Sequence, residues 1–343
     1  MHRSILLIYT GGTIGMKQDP ETLALKPFNF NQILEEVPEL KKFGCKIDTY
    51  SFDPLIDSSD VQPAFWVRLA SLIKENYDAY DGFVILHGTD TMSFTASALS
   101  FMFENLAKPV VLTGSQLPIG MLRTDGKENL ISSIEIAAAA DSNGRPMVPE
   151  VCVYFESQLY RGNRTTKYNA ENFRAFRSAN YPVLADVGIH IKYRTPLIRH
   201  PENWEEPLMV SDKLDTNVAV LKIFPGITPD VVDAILNMDG LRGVVLETFG
   251  SGNAPTAEWF VGRIKDAVRR GIIVLNVTQC HAGSVDMDAY ATGIALKNEG
   301  VISGFDSTTE AALTKMFFAL GHGSSNVEVK MLLESNLRGE ITI

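Results

Sequence analysis

Hydroxyls, glycines and carboxylates gather where apolar runs of this chain give way to short turns. Ile5–Tyr9 ends in Thr10-Gly11-Gly12-Thr13-Ile14-Gly15, and Gly82–His87 leads into Gly88-Thr89-Asp90-Thr91. Pro109–Thr113 leads into Gly114-Ser115-Gln116-Leu117-Pro118, and Asp57-Ser58-Ser59-Asp60 follows Ser51–Ile56. In open α/β sheets, ligands bind beyond the carboxyl ends of strands, so these turns are where chemistry is expected. They hold few bases and no cluster with metal-ligand spacing.

Three uses compete for the first turn. A dinucleotide fingerprint needs G-x-G-x-x-G opening a helix, with an acid about 20 residues on. Here the glycines read G-G-x-x-G, and a polar segment with two prolines follows. A Walker loop needs G-K-[ST], which is absent. A purely structural turn accounts for the glycines but not for Thr13. A threonine hydroxyl can instead act as an acyl-accepting nucleophile, if a base takes its proton and backbone N–H groups stabilise the oxyanion. Flanking glycines let the backbone approach a reacting carbonyl closely. The irregular stretch from Met16 to Pro27 would then be a lid over the substrate.

Asp90 has two readings. Between a strand and a helix it suits an N-cap, worth about 1 kcal/mol. Beside Thr89 it could instead polarise a hydroxyl or hold an amine, with a desolvated lysine completing a Thr–Lys–Asp relay. The lysine in view is Lys167, although Arg161, Arg164 and Lys167 by composition read as a solvated basic loop. Asp57–Asp60 reads either as a turn or as a grip for an amino acid's α-carboxylate and α-amine. His87, ending an apolar run, reads as a structural hydrogen-bonder rather than a base. Cys280 reads as a small buried thiol at a strand end, with a Cys/His nucleophile scheme as the alternative.

The elements that must position these residues alternate β-rich runs with helix-period segments. The runs span 5–9, 82–87, 109–113, 150–155, 217–224, 242–249 and 271–278. They are continuously Val/Ile/Leu-rich rather than alternating, which predicts strands covered on both faces of a parallel sheet. Helices are expected at 63–76, 91–106, 127–140, 229–237, 256–269 and 308–320. Met92, Thr95, Ala96, Leu99, Met102, Phe103 and Leu106 form one 3.6-period stripe in the second of these. The order predicts an α/β fold with right-handed crossovers. Residues 186–216 break the pattern with three prolines, two histidines and mixed charge, and read as a hairpin plus linker. The expected division is a larger N-terminal catalytic domain at 1–187 with helices on both faces of its sheet, a linker at 188–214, and a smaller C-terminal α/β domain at 215–343. A length of 343 residues agrees with two domains of ~150 residues each.

Composition narrows the class further. The net charge is −10 with no Lys/Arg stripe, which argues against nucleic acid as a partner. Three cysteines without a CxxC pair argue for reduced thiols and a cytosolic address. The N-terminal apolar run is shorter than the ~7–15 residues of a secretory h-region. No stretch reaches the ~18 apolar residues of a membrane span. A soluble, cytoplasmic protein with no membrane partner is expected.

Several segments then fall into one pattern. YTGGTIGM, DSSD, DGFVILHGTDTMSFTASALSFM, VVLTGSQLP and YRGNRTTK resemble the bacterial cytoplasmic, type I L-asparaginases, as do GSGNAP, TQC, YATG and the closing NLRGEITI. The likeness runs in order over essentially the whole chain. It implies two α/β domains, homodimers that commonly associate further into tetramers, and hydrolysis of L-asparagine to L-aspartate and ammonia with no metal or cofactor. Carried onto this chain, it implies Thr13 as the nucleophile, with Thr89, Asp90 and Lys167 as the second catalytic group. Spacing does not decide which threonine attacks first. Asp57, Ser58 and Ser59 would hold the substrate's α-carboxylate and α-amine, with Asp90 helping at the amine. Asn253 would approach from the neighbouring subunit's C-terminal domain.

Three departures accompany the likeness. Related enzymes often carry a lid tyrosine that supports the first threonine; residues 16–28 contain none, and Tyr290 is expected to substitute. Some type I enzymes have a regulatory asparagine site, to which Thr166 and Cys280 map. Glu247 stands where that site expects an arginine, and an anion in place of a carboxylate-binding cation should weaken or remodel it. The larger relatives also carry a C-terminal repeat region, and none is expected here. Other readings are an amidase acting mainly on glutamine or another amide, a non-catalytic amino-acid sensor, and an NAD-dependent dehydrogenase. Joint retention of Thr13, Thr89, Asp90 and Lys167 argues against the sensor.

Overall fold

A computed structural model of the protein describes residues 3–18, 25–27 and 37–343. The chain forms two compact units, Met1–Ser211 and Asp212–Ile343. The division falls inside the segment read as a linker, towards its C-terminal end.

The strands of the first unit are β1 (Ser4–Tyr9), β2 (Met16–Gln18), β3 (Leu25–Pro27), β4 (Lys46–Ser51), β5 (Gly82–Leu86), β6 (Phe103–Glu104) and β7 (Val110–Thr113). They continue as β8 (Val151–Phe155), β9 (Gln158–Arg161), β10 (Thr166–Lys167), β11 (Phe176–Arg177), β12 (Ala185–Val187), β13 (Ile191–Tyr193) and β14 (Met209–Val210). Among the described residues eight of these form one sheet, in the order β13-β12-β9-β8-β7-β5-β1-β4. The five strands from β4 to β8 run parallel, and the β9, β12 and β13 edge is antiparallel. The expected hairpin is thus β12–β13, and it belongs to the first unit. The strand before Asp57 is β4, earlier than Ser51–Ile56 suggests; beyond Ser51 the backbone leaves the sheet, with a cis peptide at Asp53-Pro54.

Double coverage holds at the centre of this sheet. Ile5, Leu7 and Tyr9 pack with Leu130, Ile134 and Ala137 of helix Gly126–Ala138. Leu6 and Ile8 point the other way and are buried as well. Helix Pro63–Glu75 begins with proline at its first turn, where the missing N–H costs nothing. It buries Phe65, Trp66, Leu69, Ala70 and Ile73, and Trp66 Nε1 donates to Thr95 Oγ1 at 3.0 Å. Helix Met92–Met102 stops short of the expected residue 106, because Phe103–Glu104 turns into β6 and pairs with β14.

The second unit holds β15 (Val218–Lys222), β16 (Gly243–Thr248), β17 (Ile273–Thr278) and β18 (Ile302–Ser303), all parallel and in that spatial order. Its helices are Pro229–Leu236, Glu258–Arg269, Ala291–Asn298, Thr309–His322 and Asn326–Glu334. β15 departs from expectation. It is an edge strand, and Val220 is exposed, so the run at 217–224 is not covered on both sides. Two helices escape the periodicity reading. Ala291–Asn298 has only two turns and no side-chain cap. Asn326–Glu334 does carry a local signal, since Ser325 and Glu328 have capping-box spacing and the Ser325 side chain accepts from Glu328 N.

Candidate active site

The glycines of the first turn are there to let three loops touch. Gly11 and Gly12 adopt φ of 137° and 89°, which side-chain-bearing residues rarely take. A Cβ on Gly12 would lie 2.6 Å from Gly88 Cα and N, and one on Gly88 would lie 2.5 Å from Ser58 Oγ. The turns after β1 and β5 therefore meet backbone to backbone, and the Ser58 side chain of the Asp57–Asp60 turn packs against Gly88. Thr10 is structural: its N–H and its Oγ1 both donate to Leu86 O, joining the ends of β1 and β5. Thr13 opens a single 3-10 turn, Thr13–Gly15, and is half-buried. Its hydroxyl makes no hydrogen bond among the described residues. Of the expected lid, residues 16–18 and 25–27 pair as the β2–β3 ribbon, and residues 19–24 lie outside the described residues.

Lys167 does converge on the second turn. Its Nζ donates to Thr89 Oγ1 at 2.8 Å and to Asp90 Oδ1 at 2.6 Å, across 78 and 77 residues of chain. Lys167 is brought there on β10, which pairs antiparallel with β11. Asp90 is no helix cap: the residue before helix Met92–Met102 is Thr91, and no side chain caps that end. Nor is the segment before Lys167 a solvated basic loop. Arg161 and Arg164 are 3% and 2% exposed, Arg161 Nε donates to Glu150 Oε2 at 2.6 Å, and both guanidiniums stack on Tyr181.

The site also includes a residue that the sequence did not single out. Gln116 Nε2 donates to the carbonyls of Ala170 and Asn172, at 3.2 Å each. This orients the amide so that Oε1 accepts from Thr89 Oγ1 at 3.4 Å. Asp125 in turn accepts from the N–H groups of Gln116 and Leu117. Burial pushes its carboxyl up, against those same hydrogen bonds. The segment TGSQLP marks the place, but nothing local marks the glutamine.

Around the Asp57–Asp60 turn the hydroxyls and carboxylate are already organised. Asp57 Oδ1 accepts from Ser59 N at 2.9 Å and Ser59 Oγ at 2.8 Å, which holds its carboxyl below the usual carboxylate range. Ser58 is buried, and its carbonyl accepts from Thr91 Oγ1 at 2.6 Å. This bond ties the turn to the one carrying Thr89. His87 is structural, as expected. Its Nδ1 faces Gly88 O at 2.7 Å and its Nε2 faces Thr95 Oγ1 at 3.0 Å. Because Thr95 accepts from Trp66, the network fits a neutral imidazole with the proton on Nδ1. Complete burial lowers the His87 pKa to about 4.

The remaining residues singled out from the sequence, apart from Thr166 on β10, lie in the second unit. Asn253 sits in the turn after β16, and its Oδ1 accepts from Thr292 Oγ1 at 2.6 Å. Tyr290 immediately precedes the helix carrying Thr292 and is exposed. Glu247 accepts from Thr309 Oγ1 at 2.7 Å and faces Lys222 Nζ at 3.3 Å. Cys280 is exposed rather than buried, because β17 ends at Thr278 and the chain has turned outward by residue 280.

Comparison with known proteins adds the lineage. Residues 4–199 match the family model described as Asparaginase, N-terminal, and residues 217–333 match the Glutaminase/Asparaginase C-terminal domain. The chain belongs to the asparaginase family. Within that family it is 44% identical over 342 residues to L-asparaginase 1 of Escherichia coli strain K12, covering 99% of this chain and 98% of that protein. The solved L-asparaginase I of Vibrio cholerae O1 biovar eltor matches with a TM-score of 0.90 at 41% identity over the full length of both chains. The thermostable L-asparaginase of Thermococcus kodakarensis matches with a TM-score of 0.88 at 34% identity, covering 99% of each chain. The asparaginase fold accounts for both units: a mostly parallel sheet with helices, and a separate α/β unit with its own parallel sheet.

Proposed function

We propose that this protein hydrolyses L-asparagine to L-aspartate and ammonia through a threonine acyl-enzyme. The observation that carries the reading is the Lys167 ammonium held between Thr89 Oγ1 and Asp90 Oδ1, in a turn that touches the one bearing Thr13. The full-length likeness to proteins named L-asparaginase supports the substrate. In the first half-reaction Thr13 Oγ1 attacks the side-chain amide carbon, its proton passes to the departing nitrogen, and ammonia leaves a β-aspartyl ester. In the second, water attacks that ester, the C–O bond breaks, and Thr13 recovers its proton. Backbone N–H groups of the glycine turn would stabilise each oxyanion. Lys167, aligned by Asp90, would move protons through the Thr89 hydroxyl.

Asp57, Ser58 and Ser59 are read as the grip on the α-carboxylate and α-amine, with Asp90 on the amine side. Asn253 is read as a partner subunit's contribution in a homodimer or homotetramer, with Tyr290 as the tyrosine supporting Thr13. A cytoplasmic location agrees with the sparse cysteines and with the absence, among the described residues, of any helix long and apolar enough to cross a membrane. Glu247 already engages Thr309 and Lys222, which supports the reading that a regulatory asparagine site at the Thr166, Glu247 and Cys280 positions is weakened or remodelled.

The test is ammonia release, measured with L-asparagine and L-glutamine side by side. Asparagine should be preferred by about 10–200-fold in kcat/KM, the range one methylene commands in a tight pocket. Thr13→Ala should lower kcat by roughly 10³-fold or more with an unchanged circular dichroism spectrum. Wild-type rates in that variant would remove Thr13 as the nucleophile. A hyperbolic asparagine curve is expected, and a sigmoidal one would reinstate regulation.

A further inference from the structure

The hairpin that carries Lys167 also walls a second concavity. Tyr160 of β9, Tyr168 and Arg174 of the connecting loop, Phe176 and Arg177 of β11, and Val183 surround a cleft of about 390 Å³. That volume lies within the ~300–1,000 Å³ typical of small-molecule pockets. None of Thr13, Asp57, Ser58, Ser59, Thr89, Asp90 or Lys167 lines it.

Its walls divide by chemistry. Phe176 is buried, and with half-buried Val183 it supplies apolar surface. The Tyr160 hydroxyl is occupied, donating to Gln158 Oε1 at 2.7 Å, and burial pushes its pKa up to about 12, so it stays a neutral phenol. The two cations differ. Arg174 Nε donates to Glu156 Oε2 at 3.0 Å. The Arg177 guanidinium lies over the Tyr168 ring at 5.3 Å and is ion-paired with no carboxylate among the described residues. Asp186, which accepts from the lining Gln158 Nε2 at 3.4 Å, is paired with Arg194 at 2.9 Å. The residues lining the cleft include two arginines and no carboxylate. A guanidinium held over an aromatic ring keeps N–H donors available to a carboxylate, which its planar fork can bind bidentately.

We propose that this cleft binds a small organic carboxylate with an aromatic or apolar body, the carboxylate on Arg177 and the body against Phe176, Val183 and Tyr168. Lys167 pairs directly with Phe176 across the hairpin, so an occupant bears on the strand that holds the catalytic lysine. The effect on turnover rests on the asparaginase reading, whereas the binding does not.

Isothermal titration with benzoate tests the binding, using the full chain with L-aspartate at saturation to fill the catalytic site. One saturable benzoate site per chain is expected, unchanged in Thr13→Ala. Benzamide, which has the same shape without the charge, should bind about tenfold more weakly, as should benzoate to Arg177→Gln. Val183→Phe, which fills the cleft and keeps Arg177, should abolish binding while ammonia release persists. Absence of saturable binding, displacement by L-aspartate, or equal affinity in Arg177→Gln overturns the site. If benzoate binds but leaves kcat and KM for asparagine unchanged, the coupling to Lys167 is overturned and the site stands.

Discussion

At the scale of single residues, two nitrogen bases have opposite fates. His87, at the end of β5, is sealed between Gly88 O and Thr95 Oγ1 and kept neutral. Its folded pKa of about 4 lies below the ordinary 6.5, so the unfolded chain binds more protons between those values. The stability this confers is fully present above pH 6.5 and is lost as pH falls towards 4, by about 3 kcal/mol in all. The melting temperature should therefore drop between pH 7 and 5 more steeply in the wild type than in His87→Gln. Parallel pH profiles would show that His87 does not titrate on unfolding. Lys167, by contrast, keeps an exposed carboxylate partner in Asp90 and reaches a hydroxyl. Lys167→Met should lower kcat by roughly 10³-fold while moving KM far less, and Lys167→Arg should not rescue it, because a guanidinium cannot shed its proton. Rescue by arginine would reduce Lys167 to a positional charge.

At the scale of elements, the site depends on turns that pass within backbone contact. Gly12→Ala places a methyl 2.6 Å from Gly88 and at φ 89°, so the two threonine turns must separate. We expect near-complete loss of ammonia release and a clear loss of stability. Gly144→Ala is the control, with φ 77° but nothing within 4 Å of the added carbon. It should cost only about 1–2 kcal/mol of backbone strain and leave kcat intact. Equal effects of the two substitutions would mean that strain, not loop contact, sets the Gly12 requirement. The β10–β11 hairpin contributes in a different way. Its loop carbonyls hold Gln116, which accepts from Thr89, and Lys167 projects from its first strand.

At the scale of the molecule, each unit carries its own internal fastening. In the second unit, Lys315 and Glu340 are 2% and 0% exposed and lie 2.6 Å apart. Lys315 Nζ also donates to Leu333 O, while Glu340 accepts from Leu337 N and Arg338 N. The closing segment is thereby pinned to helix Thr309–His322. Lys315→Met leaves a buried carboxylate without its cation and should destabilise the second unit by about 3–5 kcal/mol, read from denaturant unfolding. Adding Glu340→Gln should recover part of that loss. If the double variant is no better than the single, packing and not charge carries the clasp. In the first unit, the Arg161–Glu150 pair plays the equivalent part beside β8 and β9.

Sequence alone determined what depends on near neighbours. Continuous Val/Ile/Leu runs announced the parallel strands, and glycines beside Thr13 and Thr89 announced turns in which a backbone must come close. The order of motifs pointed to the asparaginase family, because motif order is carried by the chain itself. Local reasoning failed where burial or distant pairing decides. Arg161 and Arg164 read as solvated, yet Glu150 and Tyr181 bury them. Cys280 read as buried but is exposed. The β15 run read as fully covered, yet an edge position leaves Val220 open. The family resemblance grouped Lys167 with Thr89 and Asp90, but only the tertiary structure gave the contacts that join them and gave Thr89 its glutamine partner. Those contacts join groups 27 to 78 residues apart, and no periodicity, cap or turn preference acts over such a separation.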